Sequence, residues 1–123
     1  MKLTDETQPG TNFIRAYAHG EIRIGERPIR SNCIVTANSV VDWPVKSIDA
    51  LTLADLEPVI ALDPEIVILG SGENQRFPDP QLLGAILSRG IGCEVMTTGA
   101  ACRTYNVLVG EDRKVAAALV LKD

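Results

Sequence analysis

Residues Glu65 to Gly72 read E-I-V-I-L-G-S-G, and this stretch decides the fold. The apolar run leaves no polar face, as expected of a strand covered on both sides of its sheet, and Gly70-Ser71-Gly72 ends it. A strand of that kind needs helices to cover it, so the expectation is an α/β domain with Glu65 to Leu69 as its central strand.

The flanking sequence supplies the cover. Downstream, Asp79 and Pro80 pair a capping side chain with a first-turn proline. Leu82, Leu83, Ile86 and Leu87 then form one apolar stripe, and Gly90 suits a left-handed stop. Cys93 to Met96 reads as a strand. Thr98 is expected to cap the next helix and Gly110 to end it, with Val115 to Leu121 as a closing apolar strand. Upstream, Thr52 and Asp55 start a short helix carrying Leu53, Leu56, Val59 and Ile60, weakened late by Pro58. Nearer the start, Ile14, Ala16 and Ala18 alternate with Arg15 and Tyr17, and Ile22 and Ile24 flank Arg23, which predicts a half-buried antiparallel hairpin. Gly20-Glu21 and Gly25 to Pro28 are expected turns. Cys33 to Val35 reads as a third strand, and Trp43-Pro44 closes this half because the residue before proline is pushed out of helical geometry.

Composition narrows the function classes. A chain of 123 residues fits one core, and no apolar run approaches the roughly 20 residues that span a bilayer, so direct membrane insertion is not expected. Met1 to Gly10 is polar without the pattern of a secretory or transit peptide, which predicts a flexible N-terminus over residues 1–10 and a cytoplasmic protein. Three cysteines (Cys33, Cys93, Cys102) without a C-x-x-C pair fit a reducing compartment. With a single histidine, His19, neither a metal site nor a cofactor is expected. The net charge of -4 disfavours nucleic acid as a partner. Arg15, Arg23, Arg27 and Arg30, interleaved with Glu21 and Glu26, read as a solvated sheet face of mixed sign.

Polar chemistry is densest from Thr98 to Arg113, T-G-A-A-C-R-T-Y-N-V-L-V-G-E-D-R. At about 100° per residue, Ala101, Tyr105 and Leu108 share one stripe, Arg103 points nearly opposite, and Cys102 and Asn106 fall at the edge. An amide at such an edge either bonds backbone of a neighbouring segment or contacts a ligand, and the first is the commoner role.

The patterns L-G-S-G (Leu69 to Gly72), R-G-I-G-C-E-V-M-T (Arg89 to Thr97), A-C-R-T-Y-N-V-L (Ala101 to Leu108) and E-D-R (Glu111 to Arg113) resemble the Mth-type domain family. This family, long a domain of unknown function, includes an adipogenesis-associated protein and an assembly factor for respiratory complex I. The resemblance covers essentially the whole chain, so residues 11–123 are expected to form one Mth-type domain. It implies a compact three-layer α/β fold with a mixed central sheet, beside the N-terminal antiparallel hairpin region. It implies no established enzymatic activity. The matching positions are Gly70, Gly72, Thr98, Ala101, Tyr105, Asn106, Leu108 and Arg113.

Two functional readings follow, in different classes. The first is a non-catalytic interaction or assembly factor that recognises a protein, possible partners being a membrane complex or its subunits. Arg103, the outer side of Tyr105 and the Gly70 to Arg76 loop would contribute to its contact surface. The second is a small-molecule or anion-binding protein, or a cryptic enzyme, in which Ser71, Thr98 and backbone amides line a crevice beyond the strands, aided by Arg76 or Arg103. The dinucleotide fingerprint is incomplete here, since Asn74, Gln75 and Arg76 intervene before the helix. Cys102 as a nucleophile would need a lowered thiol pKa and a base, for which His19 is the sole imidazole. Glu111, Asp112 and Arg113 read as a solvated turn before an acid–base site.

Overall fold

The computed structural model describes residues 10–18 and 20–122. The flexible segment expected over residues 1–10 therefore lies, Gly10 apart, outside the described residues, as does His19.

The chain forms β1 (Ile14–Ala18), β2 (Glu21–Ile24), β3 (Arg27–Ile29), β4 (Cys33–Thr36), β5 (Ser39–Asp42), α1 (Leu53–Ile60), β6 (Ile66–Gly70), α2 (Pro80–Leu87), β7 (Gly92–Met96), α3 (Thr98–Gly110) and β8 (Val115–Leu119). One 3-10 turn, Ile48–Ala50, precedes α1. β1, β2 and β3 make a small antiparallel sheet. The main sheet runs β5-β4-β8-β6-β7, antiparallel on the β4 side and parallel across β8, β6 and β7. It is the mixed sheet that the family resemblance implies.

Burial alternates along these strands in a way that builds three layers. Cys33, Val35, Ile68, Val115, Ala117 and Leu119 face one core with α3 and the small sheet. Ile34, Val67, Leu69, Ala116, Ala118 and Val120 face the other, with Trp43, Leu56, Val59 and Ile86 from the α1 and α2 side. Each fully buried Ile, Leu or Val contributes about 1.5–3 kcal/mol by leaving water, so the double-sided strands carry much of the stability. This explains why E-I-V-I-L lacks a polar face.

Several expectations are corrected. The central position belongs to β8, because the chain returns after α3 and inserts between β4 and β6, leaving β6 interior but off-centre. In β1 the register slips between Ile14 and Ala16, a bulge at Arg15 that reverses the alternation. Tyr17 therefore packs inward and Ala16 and Ala18 are exposed. β3 begins within the Gly25 to Pro28 stretch expected as a turn, and Pro28 is tolerated there because that strand is an edge; β5 is a strand the sequence pattern does not announce. Leu87 leaves its expected stripe and is 56% exposed. α3 is capped by Thr97 rather than Thr98; it ends at Gly110 as expected, and Asp112 (φ 64) takes the left-handed position two residues on. The capping box of Thr52 and Asp55, the Asp79 cap and the left-handed Gly90 match expectation.

Candidate functional site

At the carboxyl ends of β6, β7 and β8, three chain segments are stitched together by one side chain. Thr98 Oγ1 donates to Val120 O at 2.7 Å and accepts from Gly72 N–H at 2.8 Å, while Thr98 N–H donates to Gly72 O at 2.9 Å. Val120 N–H donates to Gly70 O and Ser71 N–H to Met96 O, both at 2.9 Å. Ser71 Oγ donates to Asn74 O at 2.8 Å and accepts from Arg76 N–H at 3.2 Å, which folds the following loop back on itself. Ser71 and Thr98 are fully buried. A Cβ on Gly70 would stand 2.9 Å from Leu119 Cδ2 and 3.2 Å from Thr98 Cα, so this glycine serves close packing of α3 on the sheet. Gly72 (φ 98) makes the turn.

The hydroxyls expected to line an anion crevice are thus engaged with backbone. What faces solvent around the stitch is Arg76, 3.8 Å from Asp49, together with Arg103 and Phe77, the last 59% exposed. The Ser47 hydroxyl, and to a lesser degree Arg76, lowers the Asp49 carboxyl below its usual range. A concavity of about 310 Å³ opens at the start of α3 between Tyr17, Gly72, Glu73, Gly99 and Arg103.

The remaining expected site residues lie elsewhere. Tyr105 is fully buried, so it presents no outer side to a partner; its hydroxyl donates to Asn12 O at 2.7 Å. Burial pushes its phenol well above the ordinary range. Asn106 holds both backbone groups of Ile14. Arg113 sits at the opposite end of the sheet, 2.8 Å from Glu65. That contact lowers the Glu65 carboxyl. A cleft of about 270 Å³ at this end is lined by Leu62, Pro64, Val109, Lys114 and the Ala37 to Ser39 turn.

The structure also decides against an activated thiol. Burial raises Cys102 and Cys33 to about 12 and Cys93 to about 11, so each is protonated near neutrality. Cys102 lies in the core rather than at its edge. Among the described residues no cluster of three or more His, Cys, Asp or Glu could hold a metal. Sequence reasoning missed Asn12, Gln75, Phe77 and the Thr97 cap. The Thr97-Thr98 pair was the available signal for the cap; the others depend on long-range contacts or on exposure.

A mixed sheet between a helical layer and an α3-plus-hairpin layer defines a small α/β domain of the Mth938-like type. The chain belongs to the family described as proteins of unknown function (DUF498/DUF598), whose model matches residues 14–120. It is 28% identical over 122 residues to a 13 kDa major membrane protein of Francisella tularensis, covering 98% of this chain and 99% of that one. It is 33% identical to the mouse NADH dehydrogenase [ubiquinone] 1 alpha subcomplex assembly factor 3, covering 98% of this chain but 66% of that protein's length. Among solved structures, one from Xanthomonas campestris is 40% identical with TM-score 0.82, covering 98% and 92% of the two chains. A Mth938-like domain from Bordetella pertussis is 26% identical with TM-score 0.81, covering 94% and 90%. Among the described residues no helix is long and apolar enough to cross a membrane.

Proposed function

We propose that this domain is a non-catalytic protein-interaction module that acts as an assembly factor for a membrane complex. The observation that carries the reading is its similarity, at 33–34% identity, to proteins named as assembly factors of NADH dehydrogenase. Those relatives are longer, this chain spanning 60–66% of them, so the reading concerns the shared domain. The contact surface is the rim around the Thr98 stitch: Arg76, Phe77 and Arg103 combine cations with an exposed aromatic, the residue types favoured as interface anchors. We place this work in the cytoplasm, in keeping with three unbridged thiols. The partner is a protein rather than a nucleic acid, given the net charge of -4.

Affinity capture of tagged wild type and Arg103→Glu from the native host tests this. The expected result is a specific protein retained by wild type and lost from the variant; identical sets of captured proteins would overturn it. The concavity beside Gly99 and Arg103 supports a second reading, a small-anion site at the start of α3. Titration with phosphate, sulfate or a nucleotide would then shift the Gly99 and Ala100 amide signals, and unchanged signals would eliminate it.

A further inference from the structure

We propose that the outer edge of β7 accepts an extended segment of the partner protein as a sixth strand, with a lysine or arginine of that segment opposite Glu94. This rests on the partner-binding reading above and specifies how the partner is held.

Backbone geometry identifies the groups that would be used. Gly92 N–H donates to Glu65 O and Met96 O accepts from Ser71 N–H, both at 2.9 Å. In a parallel ladder the N–H and C=O of one residue point to the same side, so Gly92, Glu94 and Met96 face β6. Cys93 and Val95 consequently direct theirs to the outer edge. The side chain of Gln75 already occupies one such position: its Nε2 donates to Val95 O at 3.1 Å, as a neighbouring strand's N–H would. Among the described residues β7 pairs with β6 alone.

Both edges of the small sheet are blocked by backbone features absent from β7. β3 contains Pro28, and β1 has the bulge at Arg15 and the Asn106 amide across Ile14. β7 has neither proline nor bulge; its edge carries one side-chain bond, from Gln75 to Val95 O, and the exposed carboxylate of Glu94 at its middle. That charge selects the occupant. Pairing of two β7 strands through both Cys93 and Val95 would set Glu94 against Glu94 of the other copy, whereas a basic residue there is favoured. Phe77, two residues beyond Gln75, offers apolar contact to the incoming segment. Main-chain bonds would supply affinity and the Glu94 pair specificity, as in other strand-addition complexes.

The test is amide NMR of the full chain titrated with two capped peptides, Thr-Val-Lys-Val-Thr and Thr-Val-Glu-Val-Thr. The expected result is movement of the Cys93 and Val95 amides and the Gln75 side-chain amide, with the lysine peptide bound about fivefold more tightly. Glu94→Lys reverses that preference. Val95→Pro removes an outward N–H without touching the ladder to β6 and abolishes binding. Should it fail to fold, Gln75→Ala releases the Val95 carbonyl and is expected to tighten binding about twofold. Unmoved Cys93 and Val95 signals, equal affinity for the two peptides, or concentration-dependent shifts at β7 without peptide would each overturn the proposal. A captured partner lost on Arg103→Glu yet retained by both Glu94→Lys and Val95→Pro would overturn edge docking while leaving the interaction-module reading intact.

Discussion

Asn106 and Ile14, 92 residues apart, exchange two hydrogen bonds: Ile14 N–H donates to Asn106 Oδ1 at 2.9 Å, and Asn106 Nδ2 donates to Ile14 O at 2.8 Å. The amide side chain thus behaves as one residue of a neighbouring strand and ties α3 to the edge of the small sheet. Asn106→Ala leaves both Ile14 groups without these partners and is expected to cost about 2–4 kcal/mol in urea unfolding. Asn106→Asp keeps an acceptor for Ile14 N–H and loses the donor, so it should fall between alanine and wild type.

Two glycines predict opposite outcomes. Gly70→Ala puts a methyl against Leu119 and the Thr98 backbone, and a loss of roughly 1–3 kcal/mol is expected. Gly84 lies within α2 with nothing within 4 Å of its would-be Cβ, so Gly84→Ala should gain about 0.5–1 kcal/mol. Thermal or urea unfolding of the pair checks both signs.

Thiol alkylation should proceed in a definite order. Half-buried Cys93 reacts first, while Cys33 and Cys102, 1% and 4% exposed, react only at the rate of unfolding. Because burial raises the folded-state values of the latter two to about 12, their contribution to stability is complete below the unfolded thiol value of 9.0. It is lost as pH rises from there through 12. Alkaline unfolding should therefore steepen in that window, and less so in Cys102→Ala, whose smaller side chain also lowers stability at neutral pH.

At the far end, Arg113 holds the Glu65 carboxyl below its ordinary value, chiefly by hydrogen bonding. A depressed folded value contributes stability above the unfolded value and loses it as pH falls through the folded one. Both side chains are about half exposed, so the effect on stability is small. A carboxyl NMR titration should show Glu65 shifting up in Arg113→Ala; no shift would remove the assigned cause.

The physics of legibility differs between the two halves of the chain. Glu65 to Leu69, the Thr52-Asp55 box and Asp79-Pro80 announce themselves because burial on both faces and helix capping act through neighbours in sequence. The bulge at Arg15 and the short edge strand with Pro28 are set by how neighbouring strands pair, and the insertion of β8 between β4 and β6 depends on pairing across dozens of residues, none of which the local pattern encodes. At the site, Asn106 was readable as a backbone-binding amide and Arg103 as an outward cation. Thr98 was placed correctly near the helix start but mistaken for its cap, since the choice between Thr97 and Thr98 is made by Gly72 and Val120. Tyr105 shares the core stripe from helical phasing alone, which already argued against an outer face.

Partner binding at the carboxyl ends of the strands is tested most directly by hydrogen–deuterium exchange on the domain, alone and in the complex captured from its host. Slowed exchange over residues 72–77, 93–95 and 99–103, with the Arg113 end unchanged, is the expected result. Protection confined to the Arg113 end, or none at all around Arg103 and β7, would contradict it.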